Sequence, residues 1–119
     1  MISVIKTPSE NIVRIAKKES EKSKAKFCHG AVIFRGSKRI VSKGYNIHKT
    51  DPLFGSGDYQ MLHAEGSAIK DAIRRRICLH GASIYVYRTH GMNSKPCKCC
   101  AKLIEKYGIK EVMYSDILV

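Results

Sequence analysis

His63, Cys97 and Cys100 are the residues of this chain whose types and spacing best suit chemistry. One imidazole and two thiolates fill three of the four tetrahedral positions of a zinc ion. A protein set of three leaves the last position for water, which separates a catalytic site from a structural one. Glu65 stands two residues after the histidine and is not needed as a ligand. A carboxylate there can carry protons between that water and a substrate. Cys97 and Cys100 are three apart and share a face of a helix, whereas Cys99 points elsewhere and is the weaker ligand candidate. A structural site would need a fourth protein ligand, for which Cys99, His90 and His29 come into question. Cys28, Cys78, His48, His80 and His90 read better as packing or surface residues.

Two helices must bring these groups together. Ala64, Ala68, Ile69, Ala72, Ile73 and Ile77 form an apolar stripe at helical spacing, predicting a helix over Leu62–Arg76 with His63 and Glu65 in its first turn. Arg74, Arg75 and Arg76 end it, either gripping phosphate or complementing the negative end of the helix dipole. A second metal-bearing helix is predicted from Pro96 to Tyr107, with Gly108 just past its end. Earlier, Thr7 suits a cap, Pro8 the first helical position and Glu10 a capping box, and Ile12, Ile15 and Ala16 mark an apolar face. Lys17 to Lys26 is almost wholly polar and of mixed sign, which reads as a solvated helix tail in preference to a nucleic-acid-facing one. Strands are predicted at Cys28–Phe34, at Ile40–Tyr45 after the turn Arg35–Lys38, at Ser83–Arg88 and at Ile109–Tyr114. Asn46–Gln60 is a loop and, preceding His63, a wall of the site. The order helix, strand, strand, helix, strand, helix, strand predicts an α/β fold: a mixed sheet with helices on its faces. It begins with an antiparallel hairpin and continues through parallel crossovers. Both metal-bearing helices then start near one end of the sheet.

The chain has 119 residues, enough for one domain over 1–119. No run approaches the ~20 apolar residues of a membrane helix, and Lys6 and Pro8 interrupt Met1–Ile5 before a signal peptide could form. Five cysteines, three of them within Cys97–Cys100, do not look like a disulfide framework. A cytoplasmic metal protein without a membrane partner is the expectation. The formal net charge of +12 attracts anionic partners, nucleotides and nucleic acid among them.

H-x-E followed by P-C-x-x-C is a known signature of zinc nucleobase deaminases. The chain resembles the cytidine and deoxycytidylate deaminase superfamily, specifically its deoxycytidylate-type branch. The resemblance is carried by His29-Gly30-Ala31-Val32-Ile33, Gly44-Tyr45-Asn46, Leu62-His63-Ala64-Glu65, Lys95-Pro96-Cys97-Lys98-Cys99-Cys100-Ala101 and Gly108-Ile109-Lys110. It spans roughly Phe27 to Ser115. It implies a cytidine-deaminase-like three-layer α/β/α sandwich, with Glu65 as proton shuttle and His63, Cys97 and Cys100 holding Zn2+. It implies further that Asn46 meets the substrate sugar, that the Ala64 N–H faces the ring carbonyl, and that Gly30 and Ala31 give the base room. Lys95 stands where relatives carry a small hydroxyl residue. The chain also stops after the predicted fourth strand, a C-terminally shortened sheet with an edge to cover, which together with the family habit points to a homo-oligomer.

The resulting expectation is hydrolytic deamination of cytosine in a free nucleotide or nucleoside, dCMP to dUMP and ammonia foremost. The alternatives are a deaminase acting on a base within RNA or single-stranded DNA, and a non-catalytic zinc-stabilised nucleic-acid-binding module. The charge favours the first alternative, the shortage of an aromatic track counts against it, and Glu65 counts against the second.

Overall fold

Side chains alternate along the strands onto two faces of one sheet, and helices cover both faces, so the central strands are buried along most of their length. The computed structural model describes residues 2–4, 8–24, 28–36, 39–47, 63–88 and 98–114. In chain order the elements are β1 (Ile2–Val4), α1 (Glu10–Ser20), β2 (His29–Arg35), β3 (Arg39–Tyr45), α2 (Ala64–Arg74), β4 (Ser83–Arg88), α3 (Lys98–Lys106) and β5 (Glu111–Tyr114). The sheet order is β1-β5-β4-β2-β3. β2 pairs antiparallel with β3 and with β4, β4 pairs parallel with β5, and β1 runs parallel to β5.

Ala31, Ile33, Ile84, Val86, Val112 and Tyr114 face α2 and α3, where Ala64, Ala68, Ile69, Ala72 and Ile104 complete the larger core. Val32, Phe34, Tyr85 and Met113 point the opposite way, onto Ile12 and Ala16 of α1. This is the expected α/β/α layering and the expected mixed sheet opening on a hairpin.

Three differences from the sequence reading have physical causes. Helix α1 begins at Glu10 with Ser9 as its cap, Ser9 Oγ accepting from the Ile12 N–H at 3.5 Å. The Thr7–Pro8 start is therefore displaced by two positions; a serine just before the acidic first turn serves as well as a threonine. The polar stretch after Ala16 is not simply a solvated tail. Glu19 and Ser20 are buried, and Glu19 pairs with Lys22 at 3.0 Å and Lys43 at 3.9 Å. The edge beside the final strand is covered by β1, three residues too short to show alternation in sequence.

Two glycines set how closely the layers approach. A Cβ on Gly30 would lie 2.1 Å from the Ala16 carbonyl oxygen of α1. One on Gly44 would lie 2.5 Å from the Ala68 nitrogen of α2. Only a residue without Cβ admits backbones this close.

Candidate metal and catalytic site

Because β3 and β4 are both antiparallel to β2, they point the same way. Their carboxyl ends therefore lie at one end of the sheet, the place where open α/β sheets bind ligands. Helix α2 follows β3 and α3 follows β4, so both helices start at that end.

His63 caps α2 in extended conformation, φ −69° and ψ 160°, and its imidazole makes no capping bond. The His63 Nδ1 instead lies 3.2 Å from Cys100 Sγ on α3. Glu65, 5% exposed, completes a group whose ligand atoms all lie within 4.8 Å of one another. A tetrahedral zinc bound by nitrogen at about 2.0–2.1 Å and sulfur at about 2.3 Å separates those atoms by roughly 3.6 Å. The observed distance is within a few tenths of an ångström of that, and a borderline-soft donor pair of this kind suits Zn2+. The cofactor inferred from the motif thus fits the residues present. Cys100 is 3% exposed, which shelters a metal-bound sulfur from solvent.

The other residues singled out in sequence are placed as follows. Cys97 lies outside the described residues, as do Lys95, His48, His90 and nearly all of the loop Asn46–Gln60. Ala64 is fully buried at the first position of α2, where backbone N–H groups lack intrahelical acceptors. Asn46 is 2% exposed and held from three sides. Its side-chain oxygen accepts from the His29 N–H at 2.8 Å, its backbone N–H donates to the His29 carbonyl at 3.4 Å, and its own carbonyl accepts from Ser23 Oγ at 2.8 Å. Ala31 lies on the α2 face of the sheet. The space that Gly30 opens lies on the other face, against α1. Its lack of a side chain serves helix packing there and does not make room for a base.

Ser42 and Asp71, which the sequence reading passed over, hold α2 in place together with Arg75. Ser42 Oγ lies 2.7 Å from the Ala68 carbonyl and 2.8 Å from an Asp71 carboxylate oxygen. Arg75 donates to Asp71 at 2.7 Å and to the Val41 carbonyl at 2.8 Å. Of the arginine triplet, Arg75 is therefore a fastener between helix and strand. An isolated serine on a strand and an aspartate on a helix carry no signal of this in sequence, since it depends on which strand the helix crosses.

The family model described as the cytidine and deoxycytidylate deaminase zinc-binding region matches residues 6–116. No curated protein sequence matches the chain. Among solved structures, the dCMP deaminase of the cyanophage S-TIM5 in apo form is similar, with TM-score 0.64 and 24% identity over 90% of this chain and 81% of that one. A diaminohydroxyphosphoribosylaminopyrimidine deaminase/5-amino-6-(5-phosphoribosylamino)uracil reductase of Thermotoga maritima is similar at TM-score 0.61 and 26% identity, over 88% of this chain and 28% of that one. Guanine deaminase of Bacillus subtilis follows at TM-score 0.56 and 21% identity, over 92% of this chain and 65% of that one.

Proposed function

We propose, because this chain belongs to the cytidine and deoxycytidylate deaminase zinc-binding family and is a zinc-dependent hydrolytic deaminase, that its substrate is cytosine in a free nucleotide or nucleoside, dCMP foremost. The products are then dUMP and ammonia. In this reading residues 1–119 act as one deaminase domain, in the cytoplasm and as a homo-oligomer. The observation that carries it is the meeting of His63 Nδ1, Cys100 Sγ and the Glu65 carboxylate within 4.8 Å at the start of two helices.

His63, Cys97 and Cys100 hold the zinc. When bound, zinc would supply a Lewis acid that lowers the pKa of a water towards about 7. Glu65 takes a proton from the attacking water as the new C4–O bond forms, and passes it to the ring nitrogen N3. The second water hydrogen goes to the exocyclic amine, the C4–N bond breaks, and ammonia leaves. One water is consumed, its oxygen ending as the new carbonyl. Proton transfer by a positioned carboxylate is typically worth ~10²–10⁴ in rate. The Ala64 N–H, unpaired within its helix, donates to the ring carbonyl. Asn46, its side-chain oxygen fixed by His29, turns its NH2 to a sugar hydroxyl. Ala31 leaves room for the base on the α2 side.

A second reading, deamination of a base within RNA or single-stranded DNA, is favoured by the +12 charge. Ammonia release measured in parallel on dCMP, cytidine and a cytosine-containing oligonucleotide separates the two. Turnover of dCMP above the others is expected. Turnover of the oligonucleotide alone would replace the first reading with the second, and zinc-loaded protein inert on all three would remove both.

A further inference from the structure

Strand β3 is one of the two edge strands of the sheet among the described residues, β1 being the other, and a cleft lies on each side of β3. The cleft towards α1, about 340 Å³, is lined by Arg14, Ile15, Lys18, Glu19, Lys22 and Lys43. The cleft towards α2, about 230 Å³, shares Glu19 and Lys43 and adds Lys70, Arg74 and Asp71, whose carboxylate is already paired with Arg75 at 2.7 Å. Arg14 and Lys18 are four apart on α1, as are Lys70 and Arg74 on α2, and Lys22 follows just past the end of α1. That spacing puts each set on one helix face, with about 6 Å of rise between neighbours. Two rails of cations therefore flank the edge strand, with Lys43 between them. Glu19 at the floor is buried and already paired with Lys22 and Lys43, so it orients these lysines and opposes a ligand anion less than a free carboxylate would. The second cleft is also lined by Ile47 and Ser67. Ile47 adjoins Asn46, and the Ser67 N–H bonds the His63 carbonyl at 2.9 Å, so this basic surface reaches the rim of the metal site.

We propose that the α1–β3–α2 face is a binding track for the phosphodiester backbone of single-stranded nucleic acid, one end of which opens at the catalytic pocket. Regularly spaced cations suit a polymer carrying one charge per unit better than a single phosphate. Tyr45, half-buried in the second cleft, offers a ring on which a base can stack. The proposal goes beyond the choice of catalytic substrate, because the track binds whether or not the bound strand is deaminated.

The test is fluorescence anisotropy of a labelled single-stranded 20-mer against salt, using the Glu65→Gln protein so that binding is read apart from chemistry. A triple variant Lys18→Gln, Lys70→Gln, Arg74→Gln is compared with the equally charged triple Lys102→Gln, Lys106→Gln, Lys110→Gln, whose lysines line neither cleft. The first variant spares Lys22 and Lys43 and so leaves Glu19 paired. Three lost phosphate contacts should flatten the log-affinity against log-salt slope by about 2 and weaken binding ~tenfold or more, while the second triple stays near the parent. Amine-acetylation footprinting of the parent supplies a readout without track substitutions: the oligonucleotide should protect Lys18, Lys43 and Lys70 and spare Lys102, Lys106 and Lys110. Equal losses in both triples, uniform protection, or equal or tighter binding of a duplex or of polyglutamate of matched length would overturn the assignment.

Discussion

Against one face of the sheet, Gly30 lets α1 approach until a methyl group would strike the Ala16 carbonyl; against the other, Gly44 lets α2 come almost as near. The two glycines sit on neighbouring strands, Gly44 opposite Ala31 and Gly30 opposite Tyr45. The close approach on the α2 side sets where His63 and Glu65 stand, because both belong to the first turn of that helix. The close approach on the α1 side sets only a core and a basic rim. The same packing device thus carries chemistry on one face and surface charge on the other.

The sharpest way to test this division is at the carboxylate itself. Glu65→Gln keeps the shape of the side chain and removes the proton acceptor. Turnover should fall by ~10²–10⁴ while metal analysis still finds zinc; unchanged turnover would sink the assigned role. Next in size are Gly44→Ala and Gly30→Ala. Each forces a backbone apart and should cost about 1–3 kcal/mol of stability, visible as a drop of roughly 10 °C in thermal melting. Gly44→Ala should in addition lower turnover per folded molecule, since α2 shifts with its ligands. If either variant melts like the parent, the packing argument on that face is broken.

The smallest effect belongs to the α1 side. Burial, and secondarily Tyr87 beside it, raises the phenol of Tyr85 above its ordinary 10.0. The folded state therefore holds that proton more tightly than the unfolded chain. The stability involved is whole below about pH 10 and drains as pH rises through and past that value. Tyr85→Phe, which cannot ionise, should lose less melting temperature than the parent between about pH 9 and about pH 11.

Much of this was legible in the sequence because it depends on local rules. Apolar spacing located α2 from Ala64 to Ile73, and Pro-Cys-x-x-Cys with Gly108 located α3. Alternating Ile84 and Val86 against Tyr85 and Tyr87 located β4. The motifs also carried the resemblance to the family to which the chain belongs, and with it the zinc. What escaped depends on distant partners. Glu19 looks solvated in a run of lysines but is buried, and besides Lys22 it is reached by Lys43 from another element. Gly30 sits in a stretch that suggests room for a base, yet the helix that fills its open side is encoded fourteen residues earlier at Ala16. Ile2–Val4 has no pattern of its own and is a strand only because β5 offers it a ladder.

That last pairing has a consequence for how the molecule is made. Ile2 and Glu111 are partners across roughly a hundred positions, and a ribosome delivers the chain from its first residue onward. At about 5–20 residues per second, β1 waits some 5–20 s before its neighbour among the described residues exists. β1 is thus made well before the strand it pairs with and becomes one of the last to settle.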